Sequence, residues 1–554
     1  MIDNKHISKM AAVLMILTVV GLFAFMICYE GSSSSSEMTM DYESTVFDRS
    51  DVIDINISMD EAQWEDLLEN ALSEEYYPCD ISVNGTTYKN VGLRAKGNTS
   101  LSMVVSSDSD RYSFKISFDE YMSGQNLDGL SSLVLNNCYS DATMMKEAIC
   151  YDMFSFLGAD ASLYNYAKIS VNGQYWGVYL SLEPVDEDFA IRNYGLDHGQ
   201  LYKPDSMKME GPGKMRDFNV DSEGNAEAKL PEKAMTGEKS GKTFGGDGGL
   251  GGFGGFSGFS SGGGAELNYI DDDMDSYETI WDGSVFKSSG KDRSRVVTAL
   301  KNICAEDVAT ETLEKYMDVD NVLRYMAVHT FVVNLDSLSS NMAHNYYLYE
   351  DDGKLNIIPW DYNLAFGGFQ SGDTGETVNF PIDTPFSSSI SMEDRQFFAA
   401  LLENKEYLAK YHEYLRMLAE EYVGGGQFEK TVKNIRSSID SLVEDDPTAF
   451  YTYDEYTAAV AMLIDTVKLR AESVLGQLDG SVPSTREGQT ANPDALIDAS
   501  SIDIPVMGSQ GGENHGGFGD RPGEDTSGNG KMPDGGMPDF GEMPGGGQRP
   551  DMPS

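Results

Sequence analysis

The sequence predicts an α+β fold, with a β-rich N-terminal part and a helical C-terminal part. Three dipeptides favour the positive φ angles of tight hairpin turns, and each lies between short runs of β-branched and aromatic residues: Asn84-Gly85, Asn172-Gly173 and Asp352-Gly353. Beyond residue 393 the chain instead carries Phe, Leu and Tyr at the spacing of amphipathic helices. Because the two patterns occupy different parts of the chain, we expect a sheet-rich lobe followed by a helical lobe.

The elements follow from local patterns in chain order. Alternating apolar residues predict strands at residues 52–57 and 112–118, and pairs of strands flank each of the three turns. Apolar residues on one face predict a helix at residues 142–157, and Asp186 is a cap for the helix that follows. Further helices are predicted at residues 296–304, 308–316 and 318–331, and then at 393–422, 428–443 and 456–478.

Composition separates one folded domain from three polar stretches in this chain of 554 residues. The domain is placed at residues 51–480, after a serine-rich linker at residues 31–50. A Lys- and Gly-rich insertion at residues 206–265 interrupts the domain, and a Gly-, Pro-, Met- and Asp-rich tail at residues 481–554 follows it. Insertion and tail have too few aliphatic residues to form a core, so both are expected to be disordered.

The first 30 residues read as a membrane segment. Lys5 and Lys9 precede an uncharged run at residues 10–28, which is about long enough to cross a bilayer. Small residues are missing at the usual cleavage positions, which favours an uncleaved anchor over a signal peptide. The domain is therefore expected outside the cytoplasm, on a single-pass anchor in the cell membrane or secreted if the segment is cleaved.

Charge narrows the choice of partners. The chain has 90 acidic and 40 basic residues and a formal net charge of −50. Such a charge excludes nucleic acid as a natural partner and favours a cationic protein substrate or a divalent metal, although solubility alone explains it equally well. Outside the predicted anchor the scattered spacing of the cysteines indicates free thiols: Cys79, Cys138, Cys150 and Cys304.

Residues 334–368 hold the strongest candidate site, a nucleotide and metal site. Asp336 lies shortly before the first strand of the Asp352-Gly353 hairpin and Asp361 just after the second, so both carboxylates should meet at one end of it. Asn341 follows Asp336 by five positions. A catalytic Asp, an Asn five residues later and a metal-binding Asp at a strand end form the phosphoryl-transfer layout of protein kinases.

Cations earlier in the chain are candidates for holding phosphate. Arg94, Lys96 and Gly97 follow a predicted strand, where backbone amides at the Gly can approach an anion and the cations can neutralise it. An ordinary basic turn is the alternative. Lys115 lies in the strand YSFKISF and projects into a cleft or, equally, into solvent. Glu147 is either a partner of Lys115 or a surface glutamate.

Glu183 ends the strand after Asn172-Gly173 and precedes the helix capped by Asp186. A strand that runs into a connector and a helix is how a two-lobed kinase passes between its lobes, and adenine commonly binds there. Glu183 is therefore predicted to contact a nucleotide.

Six blocks in this order carry a family resemblance: VGLRAKGNTS (91–100), YSFKISF (112–118), VNGQYWGVYLSLEPVDEDF (171–189), GQLYKPD (199–205), HNYYLY (344–349) and IIPWDYNLAFG (357–367). Together they resemble the CotH family, the spore-coat protein H-like atypical protein kinases. The resemblance implies a two-lobed kinase-like fold that binds ATP with magnesium or manganese and phosphorylates Ser on proteins.

Carried over by position, the resemblance makes Asp336 the catalytic Asp, Asp361 the metal-binding Asp, Asn341 a catalytic-loop Asn that binds metal and Lys115 the phosphate-holding Lys. Arg94, Lys96 and Glu183 are similar by position to cofactor-binding residues of the family. The chain departs from the family where Asn363 replaces a second acid that often follows the PWD block.

The predicted function is that of an extracytoplasmic kinase acting on a basic, Ser-rich protein. Two other classes stay open. One is a surface binding or adhesion protein on a kinase-like scaffold, and the other is a structural coat or envelope protein without catalysis. Transfer of a nucleotidyl group is a further alternative, because a kinase-like pocket can present ATP in another orientation.

Overall fold

A closed barrel of seven strands forms the N-terminal part of the computed structural model, which describes residues 39–204, 263–369 and 374–510. The strands are β1 (Ile53–Ser58), β2 (Tyr77–Val83), β3 (Thr86–Lys96), β4 (Ser113–Ser117), β5 (Ser132–Asn136), β6 (Tyr164–Val171) and β7 (Gln174–Leu182). Their order around the barrel is β1-β2-β3-β4-β5-β7-β6. The closing pair, β1 and β6, is parallel, and the other neighbours are antiparallel.

The two faces of the barrel wall belong to different cores. Inward residues such as Ile55, Leu93 and Phe114 form one apolar cluster inside the barrel. Outward residues of β5 and β7, among them Val134 and Leu180, belong to a second cluster that they share with the helical part. Because side chains alternate along a strand, the outer wall of the barrel can carry both this packing surface and the polar residues of a site.

Helices dominate the chain after β7. The described helices are α1 (Asp41–Thr45), α2 (Glu61–Glu69), α3 (Thr99–Val105), α4 (Lys146–Leu157), α5 (Glu187–Tyr194), α6 (Glu278–Asp282), α7 (Gly290–Ile303), α8 (Thr310–Tyr316), α9 (Val319–Phe331), α10 (Thr374–Val378), α11 (Gln396–Leu402), α12 (Lys405–Arg416), α13 (Gln427–Glu444), α14 (Tyr453–Asp479) and α15 (Arg486–Ala491). A π-helical stretch, Met417–Val423, follows α12 directly. The predicted α+β class, with strands first and helices later, is confirmed.

A small sheet lies within the helical part. It consists of β8 (Gln200–Tyr202), β9 (Tyr346–Asp351) and β10 (Lys354–Pro359) in the order β10-β9-β8. Asp352 and Gly353 have φ angles of +46° and +87°, as the predicted hairpin turn requires. Tyr346 pairs with Pro359, so the start of β9 and the end of β10 lie at the same end of the hairpin.

Buried residues extend beyond the predicted domain boundaries at residues 51 and 480. Tyr42 in the predicted linker is fully buried. In the predicted tail, Val482, Ile504 and Met507 are buried as well. A few apolar residues are enough to attach these polar stretches to the domain, because each one packs against a core that other residues already form. The described part of the insertion, residues 263–265, includes the buried Ala265, and the rest lies outside the described residues.

The predicted anchor at residues 10–28 lies outside the described residues. Within the part of the chain that the structure describes, no helix has both the length and the apolar character needed to cross a bilayer. The anchor therefore stays a prediction.

The cysteines of the domain are free thiols, as predicted: Cys79, Cys138, Cys150 and Cys304. Burial raises the pKa of Cys79 to about 12 and that of Cys304 to about 11. Both thiols are therefore protonated and unreactive at neutral pH.

Candidate active site

The two loops that carry Asp336 and Asp361 are bound to each other. Asp336 follows the end of α9, and Asp361 follows β10. The backbone N–H of Phe366 donates to the carbonyl of Val332 (2.5 Å). A small apolar cluster fills the space between the loops: Val333, Leu335, Leu364, Phe369 and Phe380. The hairpin thus brings both acids to one end, as the sequence predicts.

Two residues directly before β9 hold the carboxylate of Asp336. The Nε2 atom of His344 lies 2.7 Å from Asp336 Oδ1, and the side-chain amide of Asn345 donates to Oδ2 (3.0 Å). The same amide also donates to the backbone carbonyl of Asp336 (2.9 Å). Sequence reasoning assigned no role to His344 or Asn345, although both lie in the HNYYLY block that contributes to the family resemblance.

Asn341, the predicted metal ligand of the same loop, is exposed. Its side-chain amide donates to the hydroxyl of Ser389 (3.0 Å). This hydrogen bond uses the amide nitrogen of Asn341, whereas a metal would bind the amide oxygen.

Glu147 on α4 is an acidic neighbour of Asp361. The Glu147 carboxyl is buried, accepts a hydrogen bond from the Asn136 amide (2.6 Å) and lies 3.4 Å from the backbone N–H of Tyr362, the residue after Asp361. Burial and the negative charge of Asp361 raise the pKa of Glu147 to about 8, while the charge of Lys96 opposes this rise. The expected pairing of Glu147 with Lys115, or its exposure at the surface, is wrong: its electrostatic partners are Asp361 and Lys96.

Lys96 reaches this acidic pair from the barrel wall. It ends β3, on the face opposite the inward Ala95, and its Nζ lies 5.4 Å from the ring centroid of Trp360, the residue before Asp361. Lys203, after β8, approaches the same ring from the helical part, with its Nζ 5.8 Å from the centroid. Two ammonium groups, two carboxyls and an indole ring therefore meet where the barrel and the small sheet adjoin.

Comparison with known proteins places this arrangement in a family. The family model described as CotH kinase protein matches residues 93–244 and 264–474, which is more than half of the chain. The chain belongs to the CotH kinase family. Its strands β4 to β10, both acidic loops and most of the helical part fall within the matched residues.

A curated member of the CotH family shows a more distant similarity. Inner spore coat protein H of Bacillus subtilis (strain 168) is 25% identical over 241 residues, which cover 43% of this chain and 51% of that protein. The chain thus spans about half the length of the curated relative it matches.

Lys115, the predicted phosphate-holding lysine, lies on β4 of the barrel. It pairs with Arg94 in the register of β3 and β4, and its charge acts on Asp186, the cap of α5. Burial lowers the pKa of Lys115 and raises the pKa of Asp186 to about 7, and each of these two charges opposes the shift of the other. Asp186 also accepts a hydrogen bond from the Ser132 hydroxyl (2.8 Å). Lys115 therefore lies near the connector between barrel and helices.

Arg94 is bound on the outer face of the barrel wall. Its guanidinium forms an ion pair with Glu74 and lies 5.4 Å from the ring centroid of Tyr76. To hold phosphate, as the family resemblance implies, Arg94 would have to leave Glu74.

Gly97 fulfils a steric requirement between β3 and α3. Its φ angle is +140°, and a Cβ atom there would lie 3.0 Å from Leu101 Cβ and 3.2 Å from the Leu101 backbone nitrogen. Only glycine fits this turn without displacing α3. Gly97 thereby lets the chain turn immediately after Lys96.

Both carboxylate oxygens of Glu183 accept hydrogen bonds from other residues of the domain. It is fully buried and binds the Arg192 guanidinium through two hydrogen bonds (2.8 and 2.6 Å). The Tyr42 hydroxyl donates to Oε1 (2.7 Å), and the backbone N–H of Leu163 donates to Oε2 (3.0 Å). The side chain of Glu183 thus stabilises the connector, and a nucleotide there would meet the backbone of residues 183–185.

Asp361 and Glu147 are the acids that would offer oxygen donors to a metal ion at this place. Within the described ranges, His, Cys, Asp and Glu form no group of three or more that could enclose a metal. Magnesium needs no such cage, because one or two carboxylates suffice when phosphate oxygens and water complete its coordination. Burial is the main cause of the raised pKa of Glu147, and the negative charge of Asp361 adds to it. A divalent cation would relieve the repulsion between the two acids, so the residues present fit this ion.

Proposed function

We propose that this CotH family member is an atypical protein kinase that transfers the γ-phosphoryl group of ATP to serine hydroxyls of a protein. One observation carries the proposal. Asp361, Glu147 and Lys96 meet beside the loop on which His344 and Asn345 hold Asp336. Separate groups for the metal, the phosphates and the substrate hydroxyl are what phosphoryl transfer requires.

The proposal also assigns the domain a two-lobed kinase-like fold. The barrel with α4 would be the N-terminal lobe, and the chain from α5 onward, including the small sheet, would be the C-terminal lobe. The connector that Glu183 anchors would join them. In support, the proposed phosphate-binding lysines come from the barrel, whereas Asp336 and Asp361 come from the later part of the chain.

Each residue has a separate task in the proposed reaction. Asp361 would hold magnesium or manganese, with Glu147 and Asn341 as further oxygen donors. When bound, the ion supplies positive charge that stabilises the phosphates. Lys96 and Lys115 would orient the phosphates, and the backbone amide of Gly97 allows a close approach.

Asp336 would orient the substrate hydroxyl and accept its proton. A carboxylate of ordinary pKa suffices, because a loose transition state depends mainly on positioning. The hydrogen bonds from His344 and Asn345 hold this carboxylate in one orientation, which is the contribution that positioning demands.

The proposed substrate is a basic, Ser-rich protein outside the cytoplasm. The formal charge of −50 favours cationic partners through long-range attraction. The name of the Bacillus subtilis relative, inner spore coat protein H, supports a coat-associated or extracellular location for this chain as well.

That same name favours a second candidate function, a structural component of a coat. In this role the fold would serve assembly alone. It predicts no phosphate transfer and no dependence on Asp361.

The deciding experiment incubates the full chain with γ-labelled ATP, magnesium or manganese and a basic Ser-rich acceptor protein. Asp361→Asn and Asp336→Asn are compared with Asp352→Asn, a matched control at the far end of the same hairpin. We expect label on the acceptor with the unaltered protein and the control, and none with the two site variants.

A parallel reaction with α-labelled ATP separates the alternatives. Label from the α position would show nucleotidyl transfer. Absence of both labels, together with no shift of the unfolding temperature by ATP and metal, would favour the structural coat function.

A further inference from the structure

The last described residues of the chain, 502–510, run across the helical part as an extended segment with one short 3-10 turn. We call them the C-terminal strap. Ile504 and Met507 are buried, and the Thr466 hydroxyl on α14 lies 3.7 Å from the Met507 sulfur. The strap is therefore packed into the core and is not a loose end.

One side of the strap binds the chain that enters α4. The Ala142 N–H donates to the Met507 carbonyl (3.1 Å), and the buried Nζ of Lys146 donates to the Gly508 carbonyl (2.6 Å). Gly508 has a φ angle of +78°, and a Cβ there would lie 2.6 Å from the Ser140 carbonyl oxygen. The contact is so close that only glycine fits.

The buried ammonium of Lys146 depends on this contact. The side chain is fully buried, and the backbone N–H of Lys146 donates to the carboxylate of Asp141 (2.9 Å). A buried charge must have hydrogen-bond partners, and the Gly508 carbonyl is one that the strap supplies. Lys146 is the first residue of α4, and the next residue is Glu147.

The other side of the strap binds the loop after Asp361. The Gln510 N–H donates to the Gly368 carbonyl (2.7 Å), and Gln510 forms a parallel bridge with Phe369. Ile504 packs closely against Gly367, because a Cβ atom added to this glycine would lie 3.0 Å from Ile504 Cδ1. The strap thus touches both segments that carry the proposed metal-binding acids.

We propose that the C-terminal strap is a positioning element that fixes Glu147 and Asp361 relative to each other by binding Lys146 on one side and residues 367–369 on the other. The inference rests on the proposed function of these two acids. It assigns residues 502–510 a part in metal binding, although none of them is a candidate ligand. Without the strap, α4 and the Asp361 loop are expected to open locally and the metal site to loosen.

Two matched pairs of variants test the strap. Truncation after Ser501 removes it, whereas truncation after Gln510 leaves it in place. Gly508→Ala introduces the clash with Ser140, whereas Gly480→Ala changes a glycine of similar φ (+82°) with nothing within 4 Å of the added Cβ. Lys146→Met removes the ammonium without altering the strap.

The first readout is hydrogen exchange of the backbone amides without any substrate. We expect exchange in residues 146–157 and 361–369 to rise by about tenfold or more after truncation at Ser501, in Gly508→Ala and in Lys146→Met, with β1 to β3 unchanged. The truncation after Gln510 and Gly480→Ala should match the unaltered protein. Unchanged exchange at both segments after loss of the strap, or an equal rise throughout the barrel, would overturn the proposal.

The second readout is the dependence of phosphate transfer on metal concentration. Loss of the strap should raise the KM for magnesium or manganese more than the KM for the protein acceptor, because the acceptor does not contact the two acids. An equal rise in both would also overturn the proposal. Should the unaltered protein transfer no phosphate, the proposed function fails, while the exchange experiment still decides whether the strap positions the two segments.

Discussion

Glu147 and Asp361, 214 positions apart in the chain, face each other with Lys96 as the cation that acts on the pair. The Glu147 carboxyl is buried and raised in pKa to about 8, so at neutral pH it is largely protonated in the absence of a cation. A divalent ion that bound to this pair would therefore release a proton from Glu147. Several expectations for the CotH family member follow from this pair and its neighbours.

The pair should make the stability of the protein fall as the pH rises. The folded-state pKa of Glu147, about 8, lies above its usual value of 4.5, so the folded protein holds a proton that the unfolded chain releases. This contribution to the stability is fully present below about pH 4.5 and is lost as the pH rises through about 8. Its largest expected size is about 1.4 kcal/mol for each unit of pKa shift. Urea unfolding at about pH 6 and about pH 9, with a chelator present, measures it.

Glu147→Gln should remove that part of the pH dependence, since an amide has no proton to lose. We therefore expect the free energy of unfolding of the variant to exceed that of the unaltered protein at about pH 9. At about pH 6 the two free energies should differ less. Addition of magnesium should reduce this difference in the free energy of unfolding at high pH, because the ion stabilises the ionised Glu147 of the unaltered protein. Identical pH profiles for the two proteins would contradict the pairing of Glu147 with Asp361.

Lys96→Met should lower phosphate transfer by about 100-fold, which is typical for loss of a group that stabilises developing charge. It should also raise the pKa of Glu147 further, because the opposing positive charge is gone. Lys115→Met should instead raise the pKa of Asp186 above about 7 and leave Glu147 unchanged. NMR titrations of the carboxyl resonances of Glu147 and Asp186 distinguish the effects of these two variants. The control is Lys89→Met, which replaces an exposed lysine on β3.

Asn345→Ala should lower kcat by about 10- to 100-fold and leave the KM for the acceptor nearly unchanged, because it frees the carboxylate that positions the hydroxyl. Steady-state kinetics with ATP and a basic acceptor provide the measurement. Asn302→Ala, whose amide bonds only within α7, is the matched control. An Asn345→Ala protein with full kcat would show that Asp336 needs no support from this residue.

Glu183→Gln should destabilise the protein by about 3–5 kcal/mol, because the buried Arg192 guanidinium loses its charged partner. The free energy of unfolding in urea measures the loss, and Glu187→Gln, exposed on α5, should leave it within experimental error. A stable Glu183→Gln protein with weakened ATP binding would instead support the nucleotide contact expected from the sequence.

Local chemistry accounts for what could be predicted from the sequence. The positive φ angles of Asp352 and Gly353 are intrinsic preferences of these residues, so the hairpin could be derived without a structure, and with it the approach of the loops that carry Asp336 and Asp361. The helix cap at Asp186 follows from the same kind of local preference. Glu183, by contrast, has the sequence position of a connector residue, and only its burial against Arg192 reveals a structural task.

The sequence by itself determined the α+β class, the hairpins and the membership of the CotH family, because these depend on neighbouring residues or on motifs read in order. Only the tertiary structure decided that Glu147 faces Lys96 and Asp361 rather than Lys115, and that residues 502–510 bind α4 and the Asp361 loop. These contacts join residues far apart in the chain, and closure of the barrel and packing of the core fix which of several similar charges meet.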